Sequence, residues 1–293
     1  MINYDSPLQL AAFLEEHGLA AQKKFGQNFL INKDARTLLI TALESSRCDE
    51  VWEIGAGLGA MTAELLKQTA PVRAFELDRG FCKVLRTFFG ANERFSLVEG
   101  NALHTLKTAP FNRARQIFLL GNLPYNIAAK LLGDCIEHGL LFPRMVITVQ
   151  REVARRIAAQ PGSEDYSSIS ALIATVYRVQ SLTVLKGDSF YPAPHVESQA
   201  LRLDLLDRHQ RLEPPPEFFP LLRALFVSRR KTVKNNLVSF LKSRKYTSAE
   251  SSAQTLLAAS GIAAHERAER LSSGDFCRMA QILHDTESAC GSF

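Results

Sequence analysis

The feature that most constrains the fold is a glycine-rich turn directly after a short apolar strand. Residues 51–54 predict the strand, which leads into Gly55-Ala56-Gly57-Leu58-Gly59. Glycines permit a tight turn and let backbone N–H groups approach a ligand at the positive end of the next helix. Glu76 follows at the end of the next predicted strand, where a carboxylate can accept both hydroxyls of a ribose. The pattern predicts a nucleotide-type pocket in a parallel α/β sheet.

Strands and helices alternate through the first half of the chain. Strands are predicted at 51–54, 72–76, 95–98, 117–120 and 145–150, and helices at 8–17, 34–44, 60–67, 79–89 and 127–138, with Asp34 as a helix cap. This alternation is typical of a mostly parallel sheet covered by helices on both faces. Two further apolar runs, 174–185 and 200–205, flank the loop 190–196 and predict an antiparallel hairpin at the sheet edge.

A change of pattern after residue 206 predicts a domain boundary. Residues 208–216 are polar and contain Pro214-Pro215-Pro216, which indicates a linker. Beyond it, apolar residues recur with a helical period. We therefore expect a first domain at 1–206 and a small all-α domain at 207–293.

Positive charge is concentrated in the second predicted domain. Residues 207–293 hold 13 Lys and Arg against 9 Asp and Glu, in a chain whose net charge is +5. No acid lies between Glu217 and Glu250, although that stretch is rich in cations. Blocks of one sign indicate a polyanionic partner, and a solvated helix face is the alternative. The predicted RNA-binding residues are Arg223, Arg229, Arg230, Lys231 and Lys234.

Several classes of protein are disfavoured. No apolar run approaches the ~20 residues of a membrane span, and the start of the chain lacks the features of a signal peptide. The five cysteines are scattered, which predicts reduced thiols and a cytoplasmic location. No Cys or His pair has convincing zinc-ligand spacing, so we expect no metal.

A second motif follows the predicted strand that ends at residue 120. Asn122-Leu123-Pro124-Tyr125 places an amide, a backbone carbonyl and an aromatic ring at the carboxyl end of a buried strand, where α/β sheets bind ligands. The two oxygens can accept N–H bonds from an exocyclic amine while the ring stacks on its face. Adenine is the predicted target, and a simple turn with a core tyrosine is the alternative.

The cofactor has two candidates. The glycine turn also fits a Gly-x-Gly-x-x-Ala dinucleotide fingerprint, so NAD stays open. However, Glu53 before three alternating glycines looks like the first motif of class I methyltransferases. Gly100-Asn101-Ala102-Leu103 ends the third predicted strand, where these enzymes place a residue that contacts the cofactor's adenine. The Asn122–Tyr125 motif has no role in hydride transfer. These features favour S-adenosylmethionine.

Together these motifs closely resemble the KsgA/Dim-type rRNA adenine N6,N6-dimethyltransferases, from about Lys23 to Leu283. The matching segments are Phe25–Leu30, Glu53–Gly59, Phe75–Asp78, Asn122–Ile127, Gln150–Val153, Tyr166–Ser170, Phe190–Ser198 and Arg229–Thr232. The resemblance implies a Rossmann-like class I methyltransferase sheet. It also implies an enzyme that uses S-adenosylmethionine to dimethylate two adjacent adenines near the 3′ end of small-subunit (16S) rRNA.

The resemblance also implies which residues form the site. The implied cofactor-binding residues are Asn28, Leu30, Gly55, Gly57, Glu76, Asn101 and Asn122. For catalysis, we predict from the residues themselves that Asn122 Oδ1 and the Leu123 carbonyl accept the two N6–H bonds, and that Pro124 helps to direct that carbonyl. We expect Tyr125 and Phe190 to stack on the two faces of the base; the alternative for Phe190 is an aromatic residue that fills the sheet edge beside Tyr191 and the two prolines.

Two positions depart from the family pattern. Asn101 stands where the family usually has Asp, so a charge is lost near the cofactor's adenine. His195-Val196-Glu197 replaces the usual Lys-Val-Asp, which makes a phosphate contact there weaker or pH-sensitive.

Two other functions remain open. One is a large-subunit (23S) rRNA adenine methyltransferase of the macrolide-resistance class, and the other is a non-catalytic ribosome-assembly or transcription factor on the same fold. The expected partner is small-subunit rRNA within an immature 30S particle, with no obligate protein partner and no membrane.

Overall fold

The structure is a computed structural model that describes residues 2–20, 27–124 and 127–290. For residues 289 and 290 it describes the backbone only. The chain forms two compact units. The first comprises Met1–Arg155 and Arg178–Leu205, and the second comprises Arg156–Tyr177 and Leu206–Phe293.

The first unit is built on a seven-stranded sheet with the order β4-β3-β2-β5-β6-β9-β7. Its strands are β2 (Glu50–Ile54), β3 (Val72–Glu76), β4 (Phe95–Glu99), β5 (Ile117–Asn122), β6 (Arg144–Gln150), β7 (Tyr177–Leu185) and β9 (Ser198–Leu205). Strands β2 to β6 pair in parallel, and β9 runs antiparallel to β6. The predicted fold class is confirmed.

A second, two-stranded sheet was not predicted. Strand β1 (Phe29–Leu30) pairs antiparallel with β8 (Phe190–Tyr191), so the first two residues of the loop predicted at 190–196 have strand structure. Two-residue strands carry no periodicity, and only the pairing of distant segments creates them.

Seven helices accompany the sheets in the described part of the first 158 residues. They are α1 (Pro7–Glu16), α2 (Lys33–Leu43), α3 (Ala60–Leu65), α4 (Arg79–Phe89), α5 (Ala102–Thr108), α6 (Ala128–Glu137) and α7 (Arg151–Ala158). The cap of α2 differs from the prediction. Asn32 accepts from the Ala35 amide at 2.8 Å, and Asp34 lies within the first turn, where its charge complements the helix dipole.

The core of the sheet explains why its central strands read as continuous apolar runs. Every residue of β2 is buried, and so are the first five residues of β5. Strands covered on both faces show this pattern rather than alternation. Trp52 of β2 is fully buried, and its ring lies 5.1–5.7 Å from those of Phe75, Phe111 and Phe142.

The second unit is helical. It contains α8 (Ser168–Ile173), α9 (Phe218–Leu225), α10 (Val233–Ser243), α11 (Ala249–Ala259) and α12 (Ser273–Cys290). Residues 156–177 cluster with these helices, although the sequence placed them in the first domain. The reason is long-range packing: Tyr166 is buried, its hydroxyl donates to the Leu271 carbonyl at 2.9 Å, and Ser273 Oγ donates to the Ala171 carbonyl at 2.8 Å.

Within the described residues, every helix is too short or too polar to span a membrane.

A network of ion pairs connects the end of α2 with two strands of the sheet in the first unit. Glu44, in a left-handed conformation after α2, contacts Arg47 (3.0 Å), Arg144 (2.8 Å) and Arg202 (3.2 Å). Asp204 contacts Arg144 and Arg202, each at 2.7 Å. Hydrogen bonds from Arg144 and Arg47 lower the pKa of Glu44 to about 2. The network joins α2 to β6 and β9.

Glu44→Gln should lower the free energy of unfolding at pH 7 by about 1 kcal/mol, because charge pairing is lost and solvent screens the partly exposed side chain. The lowered folded-state pKa means that the stabilisation is complete above the ordinary value of 4.5 and disappears as the pH falls towards 2. Urea denaturation between pH 7 and pH 2.5 should show the two proteins converging. Glu15→Gln, at an exposed position of α1, is the matched control; a constant gap at all pH values would contradict the prediction.

Candidate functional site

A crevice of the first unit lies where the strand order reverses. The chain moves from β2 to β3 and β4 on one side and to β5 and β6 on the other, so the carboxyl ends of β2 and β5 flank a topological switch point. A cavity of about 1210 Å³ opens there, lined by the ends of β2, β3 and β5 and by residues 27–29. A neighbouring cavity of about 600 Å³ shares several of these residues and extends to Tyr4 and Glu53.

The glycine turn has the backbone conformation that its sequence predicts. Gly55, Gly57 and Gly59 have φ values of +74°, +56° and +87°, a region that other residues rarely adopt. A Cβ atom at Gly57 would lie 3.2 Å from the ring of Phe29. The glycines therefore provide both the turn and the close packing of Phe29 over it.

Glu76 lies where the spacing placed it, but its carboxylate already joins two parts of the site. Oε2 accepts from the Gly57 amide at 2.8 Å, and Oε1 accepts from the Leu77 and Asp78 amides at 2.9 and 2.8 Å. Burial raises the pKa of Glu76 against the opposing effect of these bonds. A carboxylate offers about four acceptor positions, so Oε2 retains capacity for a ligand hydroxyl.

The carboxyl group of Glu53 lines the smaller cavity. It is 3% exposed and accepts from Thr62 Oγ1 at 2.6 Å. Burial raises its pKa to about 8, with a further contribution from the negative charge of Glu76. Tyr4 lines the same cavity, and its hydroxyl donates to the Leu58 carbonyl at 2.9 Å. Sequence reasoning missed Tyr4, because no motif marks it.

Asn101 and Leu77 flank the larger cavity. Asn101 caps α5, and its Oδ1 accepts from the Leu103 amide at 3.0 Å. If Asn101 accepts a hydrogen bond from an adenine amine, as predicted, its Oδ1 must accept that bond in addition to the one from the Leu103 amide. Leu77 is 46% exposed and lines the cavity as an apolar wall. Sequence reasoning did not single it out, although an apolar residue next to Glu76 was a signal.

Asn122 lies at the junction of the two cavities, at the end of β5. Its Nδ2 donates to the Asn28 carbonyl at 2.8 Å. Among the described residues, no hydrogen-bond donor meets its Oδ1. The bond therefore orients the amide with Nδ2 towards residue 28 and Oδ1 available as an acceptor.

The residues after Asn122 continue the same edge of the sheet. The Leu123 amide donates to the Thr148 carbonyl at 2.9 Å, and no backbone amide of the described residues donates to the Leu123 carbonyl. Pro124 lines the larger cavity. Tyr125, predicted to stack on the target base, lies outside the described residues, as do Phe25 and Gly26 of the N-terminal motif.

The N-terminal motif covers the glycine turn. Asn28 lines both cavities, and Leu30, which is 3% exposed, lines the smaller one. Phe29 packs between Gly57 and the ring of Phe81, whose centroid is 5.5 Å from its own. Asn28 and Leu30 therefore line the cavities, and their role in covering a bound cofactor stays a prediction.

Phe190 does not lie where the prediction placed it. It is 3% exposed and belongs to a buried cluster that includes Leu30, Leu39 and Leu185. It lines neither cavity. The alternative, an aromatic residue that fills the core beside the sheet edge, describes Phe190 better, because pairing with Leu30 in the two-stranded sheet turns its ring inwards.

The predicted RNA-binding residues of the second unit differ in their surroundings. Arg229 donates to the Glu164 carbonyl at 2.6 Å and pairs with Glu269 at 3.2 Å. Arg229 therefore stabilises the unit rather than presenting an unpaired charge. Arg230 and Lys231 are exposed with no acidic partner among the described residues.

The other two cations lie on neighbouring helices: Arg223 is exposed on α9, and Lys234 is partly buried on α10. Asn236 shapes the loop between these helices, because its Nδ2 donates to the Leu225 and Ser228 carbonyls at 2.9 and 3.0 Å.

Among the residues that the structure describes, no group of three or more His, Cys, Asp and Glu could hold a metal ion.

One crevice contains the glycine turn, the acid at the end of β3 and the polar end of β5. Comparison with known proteins identifies the family of this chain. The family model described as "Ribosomal RNA adenine dimethylase" matches residues 18–285. The chain belongs to the ribosomal RNA adenine dimethylase family.

Curated relatives agree with the family assignment. The chain is 39% identical over 283 residues to "Ribosomal RNA small subunit methyltransferase A" of Treponema denticola, with 96% of each chain covered. It is 42% identical over 281 residues to the protein of the same name from Treponema pallidum (strain Nichols), covering 96% of this chain and 97% of the relative.

Solved structures share the fold of this dimethylase family member. A dimethyladenosine transferase from Plasmodium falciparum has a TM-score of 0.73 at 23% identity, covering 87% of this chain and 97% of that one. The 23S rRNA methyltransferase ErmE has a TM-score of 0.61 at 19% identity, covering 88% of this chain and all of that one.

Glu53→Gln should gain stability relative to the wild type as the pH rises. The raised pKa of about 8 keeps the folded carboxyl protonated after the unfolded chain has lost its proton near 4.5. Wild-type stability therefore falls across this window, whereas the neutral glutamine is unaffected, and the gap should exceed about 1 kcal/mol at pH 9. Urea denaturation at pH 5, 7 and 9 measures it, with exposed Glu93→Gln as the control. Parallel pH profiles for wild type and Glu53→Gln would show that Glu53 ionises normally.

Proposed function

We propose that this protein uses S-adenosylmethionine to dimethylate the N6 atoms of adjacent adenines in small-subunit (16S) rRNA. The orientation of the Asn122 amide carries the proposal, because it leaves Oδ1 as an acceptor at the junction of the two cavities. Membership of the ribosomal RNA adenine dimethylase family and the names of the curated relatives support the reaction and the substrate.

The residues of the crevice fit S-adenosylmethionine. The buried Glu53 carboxyl has no cationic partner among the described residues, and an incoming ammonium group would stabilise its charged form. Glu76 Oε2 can accept from a ribose hydroxyl, and Leu77 offers an apolar face to an adenine ring. The cofactor, when bound, supplies an electrophilic methyl group on a sulfonium.

Other residues complete the proposed cofactor site. Asn101 would border the adenine, Gly55 and Gly57 would let the backbone approach the ligand, and Asn28 and Leu30 would cover it; all five line one or both cavities. Asn122, which lines both cavities, would border both the cofactor and the target.

The adenine N6 atom, which must attack the methyl group, is a poor nucleophile. The lone pair of the adenine N6 atom is delocalised into the ring. Asn122 Oδ1 and the Leu123 carbonyl each accept one N6–H, which favours a tetrahedral nitrogen with its lone pair aimed along the line of attack. Pro124 has no N–H, so it offers no competing donor, and Tyr125 stacks on the base. The product proton leaves to water, so positioning and electrostatics carry the catalysis.

The substrate context is also a proposal. The adenines must be accessible, so a single-stranded loop within an immature 30S particle in the cytoplasm is the expected substrate. Labelled S-adenosylmethionine and primer extension on both rRNAs test it: dimethyladenosine in 16S rRNA supports the proposal. Incorporation only into 23S rRNA would indicate the large-subunit reaction, and no incorporation into either would indicate a non-catalytic factor.

Asn122→Ala should lower the rate of methyl transfer by at least about 100-fold, because the acceptor that distinguishes the transition state is removed. Affinity for S-adenosylmethionine, measured by calorimetry, should change by only a few fold. Asn112→Ala, at an exposed position, is the matched control. Near-normal turnover of Asn122→Ala would refute its proposed role.

Arg230→Ala and Lys231→Ala should each weaken RNA binding, because each removes a phosphate contact and fewer counterions are then released on binding. Together they should reduce the slope of the logarithm of the binding constant against the logarithm of salt concentration by roughly one to two units. Arg229→Ala should mainly lower the melting temperature, because its guanidinium holds Glu164 and Glu269. Filter binding from 50 to 300 mM salt and thermal melting separate the two effects. An unchanged slope for the Arg230→Ala/Lys231→Ala protein would exclude these residues from the RNA interface.

A further inference from the structure

A buried arginine on α2 holds the strand that covers the cavities. Arg36 is 3% exposed, and its Nη1 donates to the carbonyls of Leu30 at 2.9 Å and Ile31 at 2.8 Å. Its Nη2 donates to the Asp5 carboxylate. A guanidinium is always charged and presents its donors in a rigid fork, so this side chain fixes two successive carbonyls at once.

The amides of the same segment are held by a different element. Those of Ile31 and Asn32 donate to the Ser189 carbonyl at 2.9 and 3.3 Å, and Leu30 pairs with Phe190. A buried backbone group without a partner is strongly disfavoured. The segment therefore has one stable position, in which Arg36 satisfies the carbonyls and Ser189 the amides.

This position decides the orientation of the Asn122 amide. The Asn28 carbonyl lies two residues before Leu30, and it accepts from Asn122 Nδ2 at 2.8 Å. An amide side chain can exchange its oxygen and nitrogen by rotation, and only its hydrogen-bond partners distinguish the two arrangements. A shift of residue 28 would remove the acceptor that keeps Nδ2 on its side, and Oδ1 would lose its fixed position.

We propose that Arg36 is a positioning residue for methyl transfer. It lines neither cavity, and it acts on the Asn122 amide through the backbone of residues 28–31. The inference rests on the proposed role of Asn122 as the acceptor of an N6–H. Misplacement of a reacting contact by a fraction of an ångström lowers a rate far more than it lowers binding, so Arg36 should affect the chemical step.

A double-mutant cycle of Arg36→Met and Asn122→Ala tests the proposal. Single-turnover methyl transfer to 16S rRNA at saturating S-adenosylmethionine should fall about tenfold for Arg36→Met in the wild-type background. In the Asn122→Ala background the same change should cost less than about twofold, because the group that Arg36 positions is absent. Cofactor affinity, measured by calorimetry, should change less than the rate does.

The outcomes separate this inference from the proposed function. Equal losses from Arg36→Met in both backgrounds would overturn the positioning role and leave that of Asn122 intact. A loss confined to cofactor affinity, with an unchanged single-turnover rate, would also overturn it. Asn122→Ala turning over as fast as the wild type would instead overturn the proposed role of Asn122, and the inference with it. A wild-type protein that does not methylate 16S rRNA would overturn the proposed function itself.

Two further variants keep the test decisive. Arg47→Met, an arginine just after α2 whose side chain is 72% exposed, is the matched control and should leave the single-turnover rate unchanged. If circular dichroism shows that Arg36→Met is unfolded, Arg36→Lys replaces it, because an ammonium retains the charge but not the fork. It should lose about threefold in the wild-type background and nothing in Asn122→Ala; equal losses in both would overturn the proposal.

Discussion

The parallel pairing of β2 with β5 is the constraint on which the candidate site depends. In this pairing Ile54 lies opposite Gly121, so the glycine turn after β2 and Asn122 at the end of β5 emerge side by side. A Cβ atom on Gly55 would lie 3.7 Å from the Asn122 carbonyl oxygen. A shift of one residue would exchange the faces of every side chain on β5 and separate these groups.

Around this junction the protein keeps two carboxyl groups out of water. Glu76 has three backbone amides as partners, whereas Glu53 has one hydroxyl, and burial raises the pKa of both. Such a pair costs folding stability in the free protein. A cationic ligand such as the proposed S-adenosylmethionine would stabilise the charged form of Glu53 and so offset part of this cost.

Local patterns predicted the elements around the site well. Helix α4 begins and ends at the predicted residues, 79 and 89, because Asp78 caps it and its apolar residues keep one period. The glycine turn was equally predictable, since three alternating glycines with positive φ have few other uses. One error was local, because Asn32 rather than Asp34 caps α2. The others occurred where distant segments meet: Phe190 fills the core, and residues 156–177 belong to the helical unit.

The sequence by itself determined the alternation of strands and helices, the glycine turn and the presence of an amide, a carbonyl and a proline at the end of one strand, because each depends on local sterics and periodicity. The tertiary structure decided which partner each polar group has. The Asn122 amide meets a carbonyl 94 residues away, Arg36 reaches back to Asp5, and Arg229 reaches Glu269. Such pairs depend on the packing of whole elements, and the residues near either member carry no sign of them.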